Sequence, residues 1–359
     1  MLVKLLKSLL PRKVKDFILA VLDAMSIFAL KVFSSHPWLA NIYYLFSQKF
    51  AREHQAVLKG RLAFRYQQGL QGSSHTLLRR NIHRIEKGLI MRPRKPIFAL
   101  DYIEQTVEAF AAAINNDKHS CDELCWACDV LAAYFKACEY EAENWLALKA
   151  QFKQLSERVT EAEGNDVPYD FASKVDAKLS IEQFETLCVQ RRSVRWFKEQ
   201  SVDMHLIEQA VKCAALAPSA CNRQPFSFYV ANEPKLAKEL VSIPMGTKGF
   251  SQNVPCTIVV SADLACYPTE RDRHLIYIDS ALASMQLMLA LETLGLSSCP
   301  INWPDIEPLE RKMAKCLDLP VSVRPVMLIA VGYALEEGEI PFSQKKSPAQ
   351  LIHKVERSC

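Results

Sequence analysis

The sequence predicts a chain of two textures, an all-helical first half and a second half in which helices alternate with short strands. Three observations predict it. Apolar residues recur at helical spacing as far as about residue 159, a polar and broken stretch follows, and strand-length apolar runs set in after it. With 359 residues, 50% of them hydrophobic, the chain is long enough for two cores. The division read from this is a helical accessory domain over 1–159, a linker over 160–180 and a mixed domain over 181–359.

In the first half, Tyr102, Val107, Phe110 and Ala111 share one helical stripe, and Leu131, Tyr134, Phe135 and Cys138 share another. Helix is expected throughout 122–148, with turns over 69–74 and 92–96 where Gly, Ser and Pro gather. At the N-terminus, Lys4, Lys7, Arg12, Lys13 and Lys15 precede an apolar run over 17–33 that Asp23 and Lys31 interrupt. A membrane-spanning helix wants about 20 predominantly apolar residues, and a secretory signal wants a short basic stretch and a small-residue cleavage site. Neither fits well. An amphipathic helix does, packed on the rest of the N-terminal domain or, alternatively, making a membrane-surface contact through residues 1–33.

Beyond the linker, residues 181–190 read as helix. A second helix over 201–216 begins with a Ser cap and lines up Leu206, Ile207, Ala210, Val211 and Ala214. Residues 226–231, 256–262 and 324–332 are β-rich apolar runs of strand length. Between them, 277–294 is apolar or small on most faces, with Asp279 and Glu292 as charged exceptions, so this helix must be buried on more than one side. A helix shared by two subunits meets that demand, and so does a large monomer core.

Charge and cysteine usage narrow the function classes. A net charge of +4 from 44 basic and 40 acidic side chains is too balanced to point to nucleic acid. Twelve cysteines in so long a chain read as free thiols in a reducing compartment, the cytoplasm, with the N-terminal segment peripheral at a membrane as a variant. Cys121, Cys125 and Cys128 have the Cys-x3-Cys-x2-Cys spacing that holds a [4Fe–4S] cluster in radical enzymes using S-adenosylmethionine. They also fall on one face of a helix, where small buried cysteines need no ligand role, and that reading is preferred. No metal site is assigned. The stretch Ile82-His83-Arg84-Ile85-Glu86-Lys87-Gly88-Leu89 reads as a helix with its apolar residues inward and charges outward. Gly69 and Gly72 lack the strand-to-helix context of a nucleotide-binding loop.

The chemistry concentrates in two segments. Arg191, Arg192, Ser193, Val194 and Arg195 put three guanidiniums and a hydroxyl beside a helix end, a set suited to a phosphate-bearing ligand. The loop from Ala217 through Pro218, Ser219, Ala220, Cys221, Asn222, Arg223 and Gln224 to Pro225 gathers short polar side chains and backbone donors between a helix and a strand. Either alone reads as solvated surface or an ordinary loop.

Together they resemble the nitroreductase family. Arg191-Arg192-Ser193-Val194-Arg195-Trp196-Phe197 is similar to the stretch with which that domain begins, and the loop of residues 217–225 to its Ala-Pro-Ser-x-x-Asn-x-Gln-Pro loop. Gly295-Leu296-Ser297-Ser298-Cys299-Pro300-Ile301-Asn302 looks like its Gly-Leu-Gly strand, and Lys345, Lys346, Ser347 and Pro348 like its C-terminal basic segment. The resemblance implies an α+β fold, a mostly antiparallel sheet wrapped by helices, and a homodimer with FMN at the interface. It also implies NAD(P)H as co-substrate and a small-molecule acceptor. Carried over, Arg191, Ser193, Lys345 and Lys346 meet the FMN phosphate and ribityl chain, with Arg192 along the same edge. Arg195 faces the N1 and C2 carbonyl side of the ring, and Pro300 and Ile301 its reactive edge with backbone N–H groups near N5. Pro218, Ser219, Ala220 and Asn222 come from the other subunit, with Gln224 in the same loop. The chemistry is then the flavin's, and no side chain is assigned as acid, base or nucleophile.

Asn302 and Trp303 depart from the family's usual Glu-Gly after the Pro-Ile pair, which bears on the room and charge above the flavin. A binding or assembly module with lost catalysis is the alternative. Gly246, Thr247, Lys248 and Gly249 sit where the family often supplies further flavin contacts.

Overall fold

The computed structural model describes residues 11–66, 73–138, 140–159 and 166–355. Most of the turn expected over 69–74, the first part of the linker, Lys4 and Lys7 lie outside them. The chain divides into two compact units, Met1–Gln55 and Ala56–Cys359.

The first unit holds helices α1 (Arg12–Phe33) and α2 (Pro37–Ser47), neither with a buried residue. The rings of Phe33 and Tyr43 lie 5.5 Å apart between them. At 3.6 residues per turn, Arg12, Lys13, Asp16, Asp23 and Lys31 fall on one side of α1, and Val14, Phe17, Val21, Met25, Phe28 and Val32 on the other. The unit boundary falls within α3 (Ala51–Arg65).

The second unit opens with a helical layer of α4 (Thr76–Leu89), α5 (Ile103–Ile114), α6 (Cys121–Ala137) and α7 (Glu143–Ser156). Leu78, Ile82 and Ile85 of α4, Val107 and Phe110 of α5, and Leu131 and Tyr134 of α6 form one fully buried core. The helix expected over 122–148 is broken. Cys138 turns extended at the end of α6, and α7 starts five residues later. Cys121 is exposed in the first turn of α6 while Cys125 and Cys128 are buried, and among the described residues no three His, Cys, Asp or Glu side chains gather as a metal site. The [4Fe–4S] alternative has no support in this placement.

The sheet follows α8 (Ile181–Gln190) and α9 (Met204–Ala214). Asp203, not Ser201, caps α9, its carboxylate accepting from the His205 amide at 2.9 Å. Strands β1 (Phe226–Ala231), β2 (Cys256–Asp263), β3 (Ser297–Asn302) and β4 (Val323–Gly332) alternate with helices α10 (Pro234–Val241), α11 (Leu275–Thr293) and α12 (Glu307–Leu317), and α13 (Pro348–Leu351) ends the chain. The order is β1-β2-β4-β3, antiparallel throughout. Side chains alternate along a strand, so Ile258, Val260, Ile329 and Val331 face α9 and α11 while Val259, Leu328 and Ala330 face α10 and α12. The result is a mixed helix and antiparallel-sheet fold, with the central β2 buried along its whole length.

Two buried ionic clusters yield predictions. Arg324 is 1% exposed and its Nη2 reaches Asp305 Oδ1 at 2.6 Å and Glu310 Oε1 at 3.0 Å. Removing one partner strands the other charge. Glu310→Ala is expected to cost about 3–5 kcal/mol, read as a lower urea midpoint. In the helical layer, Glu123 accepts from the Ser74 hydroxyl at 2.6 Å, from the His75 amide at 2.8 Å and from Arg79 at 2.8 Å, with His119 Nε2 at 3.1 Å. Burial alone raises its carboxyl, but His119, Arg79 and Ser74 bring it down to about 2. A depressed acid stabilises the fold above its unfolded value and loses that contribution as pH falls. The helical layer is therefore expected to lose stability between about pH 4.5 and pH 2, and Glu123→Gln to flatten that part of an acid-unfolding curve followed by circular dichroism.

Candidate functional site

The segment from Arg191 to Phe197 is held by two apolar anchors. Val194 and Phe197 are 7% and 4% exposed and belong to the core on the α10 face of the sheet. The Val194 amide donates to Ser298 O of β3 at 3.1 Å, and Ser193 pairs with Ser298 in a single parallel bridge. Asn253 clamps the other end, accepting from the Phe197 amide at 2.9 Å and donating to Arg195 O at 3.0 Å. Gly332 is required here, because a Cβ would meet the Phe197 ring at 2.8 Å and Pro255 at 2.7 Å.

This pinning lays Arg191, Ser193 and Arg195 along the outer edge of β3, the last strand of the sheet. Both Arg191 and Arg195 act on the buried Cys299 thiol at the middle of that strand. Burial pushes the thiol up and the two guanidiniums pull it partly back. Arg191 Nε is buried and meets no partner among the described residues. Arg195 Nη1 donates to the Ser193 carbonyl at 3.3 Å, and its guanidinium lies 5.9 Å from the Phe250 ring. Ser298 Oγ is also buried and, among the described residues, has no hydrogen-bond partner.

Arg192 does something else. Its Nη2 donates to Pro341 O at 2.6 Å and also to Phe342 O, so it ties the C-terminal segment to the arginine cluster. That segment carries Lys345 and Lys346, both exposed. On β3, Pro300 and Asn302 are exposed while Ile301 is turned into the core at 7% exposure. Proline has no amide hydrogen, so of the Pro300 and Ile301 pair only Ile301 can offer a backbone N–H. Trp303 is 8% exposed and its indole donates to Glu310 Oε1 at 2.7 Å. The departure at Trp303 therefore falls in the core beside Arg324, and Asn302 alone meets solvent.

The second segment lies elsewhere. Asp279 of α11 organises it, accepting from Ser219 Oγ at 2.6 Å and from the Ala220 amide at 3.0 Å. Ser219 Oγ in turn accepts from the Gln224 amide at 2.8 Å, and Gln224 Nε2 donates to Ala215 O at 3.0 Å. Cys221, Asn222 and Gln224 hold φ of 54°, 51° and 48°, left-handed conformations that cost energy in non-glycine residues and are held by this network. Pro218 is exposed at the rim. At the opposite end of α11, Glu292 accepts from Gln190 at 3.2 Å, next to Arg191. Asp279 and Glu292 are thirteen residues apart, so at 1.5 Å per residue the two segments are separated by about 20 Å along the helix.

Sequence reasoning saw Asp279 only as an exception in an apolar helix. It also missed the helical layer's part in this loop, where Arg79 Nε donates to Asn222 O at 3.1 Å. Around that bond Arg79, Trp126, Tyr169, Asn222, Arg223 and Gln224 line a cavity of about 740 Å³. Thr247 is buried and Gly246 takes φ +84°; the Thr247 carbonyl accepts from the Phe250 and Ser251 amides at 3.0 Å and 2.9 Å, just ahead of Asn253.

Comparison with known proteins agrees with the geometry. The family model described as "Nitroreductase family" matches residues 188–247 and 238–333. An iodotyrosine deiodinase of Haliscomenobacter hydrossis is 26% identical over 195 residues, covering 45% of this chain and 84% of the relative. An NADH dehydrogenase of Thermus thermophilus is 27% identical over 195 residues, covering 46% and 93%. Among solved structures, an FMN-dependent nitroreductase from Clostridium difficile superposes with a TM-score of 0.41 at 22% identity, covering 48% of this chain and 98% of that one. The helical layer lies outside the family match. With the arginine segment, the Ser219 loop and the edge strand β3 all inside it, the C-terminal half of this chain is a nitroreductase-family domain.

Proposed function

We propose that this protein is an FMN-dependent oxidoreductase of the nitroreductase family, acting as a homodimer on a small-molecule acceptor. The observation that carries the reading is the Arg191 to Arg195 segment fixed along β3 with a buried, unpartnered guanidinium Nε. An anionic, hydrogen-bonding ligand satisfies such a group, and the FMN phosphate and ribityl chain have that chemistry. Arg191, Ser193, Lys345 and Lys346 would hold that end, and Arg192 would keep the lysine-bearing segment in reach. Arg195 would place a cation beside the ring, where it favours negative charge. When bound, FMN supplies hydride and electron transfer in two stages, from NAD(P)H and then to the acceptor.

An exposed apolar face on α11 supports the homodimer part of this reading. Ile278, Leu282 and Met285 of α11 are 53%, 43% and 39% exposed at successive turns of one face. A second copy covering that face would bring Pro218, Ser219, Ala220, Asn222 and Gln224 of one protomer to the arginine segment of the other, which a single chain keeps about 20 Å away. The deiodinase and NADH dehydrogenase relatives are named for different reactions, so the acceptor is proposed only as a small organic molecule. Purified protein reconstituted with FMN is expected to bleach anaerobically with NADPH or NADH. Loss of the Arg191 charge-assisted bonds in Arg191→Ala is expected to weaken FMN binding by about tenfold or more. Protein that takes up no FMN sinks the assignment, and flavin that stays oxidised with both nucleotides favours the binding module.

We further propose a cytoplasmic protein peripheral at an anionic membrane. The apolar side of α1, with Phe17 and Phe28 each 69% exposed, and the basic residues at its start support that placement. Full-length protein should sediment with vesicles of phosphatidylcholine and phosphatidylglycerol. Sedimentation that is unchanged in the double variant Phe17→Asp/Phe28→Asp would overturn this.

A further inference from the structure

Two cavities flank the segment 167–173 and carry opposite charge. Val167 and Tyr169 belong to the walls of both. On one side lies the 740 Å³ cavity, where Glu86, Asp122, Glu123 and Asp166 outnumber Arg79 and Arg223. On the other is a groove of about 970 Å³ between the end of α4, the last turn of α6 and this segment. Its walls carry Arg92, Arg94 and Lys136 against the single acid Asp170. All three cations are exposed, and among the described residues none of them forms an ion pair.

The groove is also apolar where a surface facing water is ordinarily polar. Ile90 and Met91 are about half exposed, Tyr169 mostly so and Phe171 84%, and all four line it. The cause is local. Helix α4 ends at Leu89, and the chain runs on through Ile90 and Met91 towards Pro93 and Pro96, which cannot continue a helix. Phe171 opens a single 3-10 turn, Phe171–Ser173, that buries none of its residues, and the Lys174 ammonium lies 5.6 Å from its ring. Large apolar side chains left contiguous and rimmed by charge mark an interaction surface.

Charge complementarity selects an anionic occupant, and the form of the groove selects a bilayer. Its lining residues belong to helices, turns and coil, so it presents no strand edge to pair with the backbone of an acidic peptide. What it presents is unpaired cations on long stems beside aliphatic and aromatic side chains. At a bilayer boundary that set is favourable, because the apolar groups enter the headgroup layer while lysine and arginine reach the phosphates.

We propose that this groove is a second membrane contact, in which Arg92, Arg94 and Lys136 meet the phosphates of anionic phospholipids and Ile90, Met91 and Phe171 enter the headgroup layer. One such contact attaches a protein reversibly, and an amphipathic segment joined to a basic patch holds it firmly. The proposal rests on the peripheral placement given for α1, and the two contacts are separated by testing each in a chain that lacks the other. Full-length protein is sedimented with vesicles of phosphatidylcholine and phosphatidylglycerol. In Phe17→Asp/Phe28→Asp, binding is expected to weaken yet persist. Adding Arg92→Gln/Arg94→Gln/Lys136→Gln to that background lowers the residual affinity by about tenfold or more. Lys212→Gln/Lys235→Gln/Lys312→Gln removes the same charge from exposed lysines of the C-terminal half and should cost about twofold or less. Every substituted side chain is exposed, and circular dichroism checks that each variant keeps its helix content. Residual binding that the groove variant and the lysine control lower alike, or none once α1 is disabled, would overturn the second contact. Binding that falls with the groove variant and not with Phe17→Asp/Phe28→Asp would instead remove the α1 placement and leave the groove standing.

Discussion

A helix with no polar face has to be covered on every side, and α11 is such a helix. Its inner side lies against α9 and the sheet, with Leu287, Met288 and Leu291 in the same core as Ile258 and Ile329. Its outer side leaves Ile278, Leu282 and Met285 uncovered in a single chain. Apolar surface of that continuity is favourable to bury and unfavourable to leave wet. Both halves of the candidate site hang from the same helix, the Ser219 loop at Asp279 and the arginine segment near Glu292. Its length therefore fixes how far apart they sit in one chain, and what covers its outer side decides whether they meet.

The legible parts of the fold were those set by local pattern. The 226–231 strand and the 181–190 helix fall where the sequence pattern put them, the strand as a mostly apolar run between Pro225 and Pro234, the helix with Ile181, Phe184, Leu187 and Cys188 at helical spacing behind the Ser180 cap. Misreadings arose where tertiary contact overrode local preference. Ser201 has the chemistry of a cap, yet Asp203 takes the role, since a fixed carboxylate two residues before the His205 amide reaches it directly. Nothing local at Cys138 marks the break after α6. The chain turns there to let Trp145 and Phe152 of α7 stack on Phe135, with ring centroids 5.4 Å and 5.2 Å away.

Within the candidate site, legibility followed residue chemistry rather than position. Arg191, Ser193 and Arg195 stood out because guanidiniums and hydroxyls cluster there. The same cluster concealed a division of labour, for Arg192 is committed to backbone carbonyls of residues 341 and 342. Trp303 was read as a change above the flavin, and the β3 alternation puts it inside, where its indole helps satisfy Glu310 beside the buried Arg324. Asp279 and Arg79 were invisible for a different reason. Each acts on backbone atoms of a loop distant in sequence, and no spacing rule links positions 79, 222 and 279.

The left-handed turn at Cys221, Asn222 and Gln224 connects these points. Three non-glycine residues at positive φ in four positions need external support. Asp279 supplies it from the sheet side through Ser219 and Ala220, and Arg79 from the helical side through Asn222 O. Arg79 is itself oriented by Glu123, which His119 and Ser74 hold ionised. The loop is thus gripped between two layers, one inside the family match and one outside it. A helical layer that merely decorated the domain would have no reason to place a buried acid, two histidines and an arginine behind this particular turn. Its contacts tie the Ser219 loop to residues 74–126 as well as to the helix and sheet that carry Asp279.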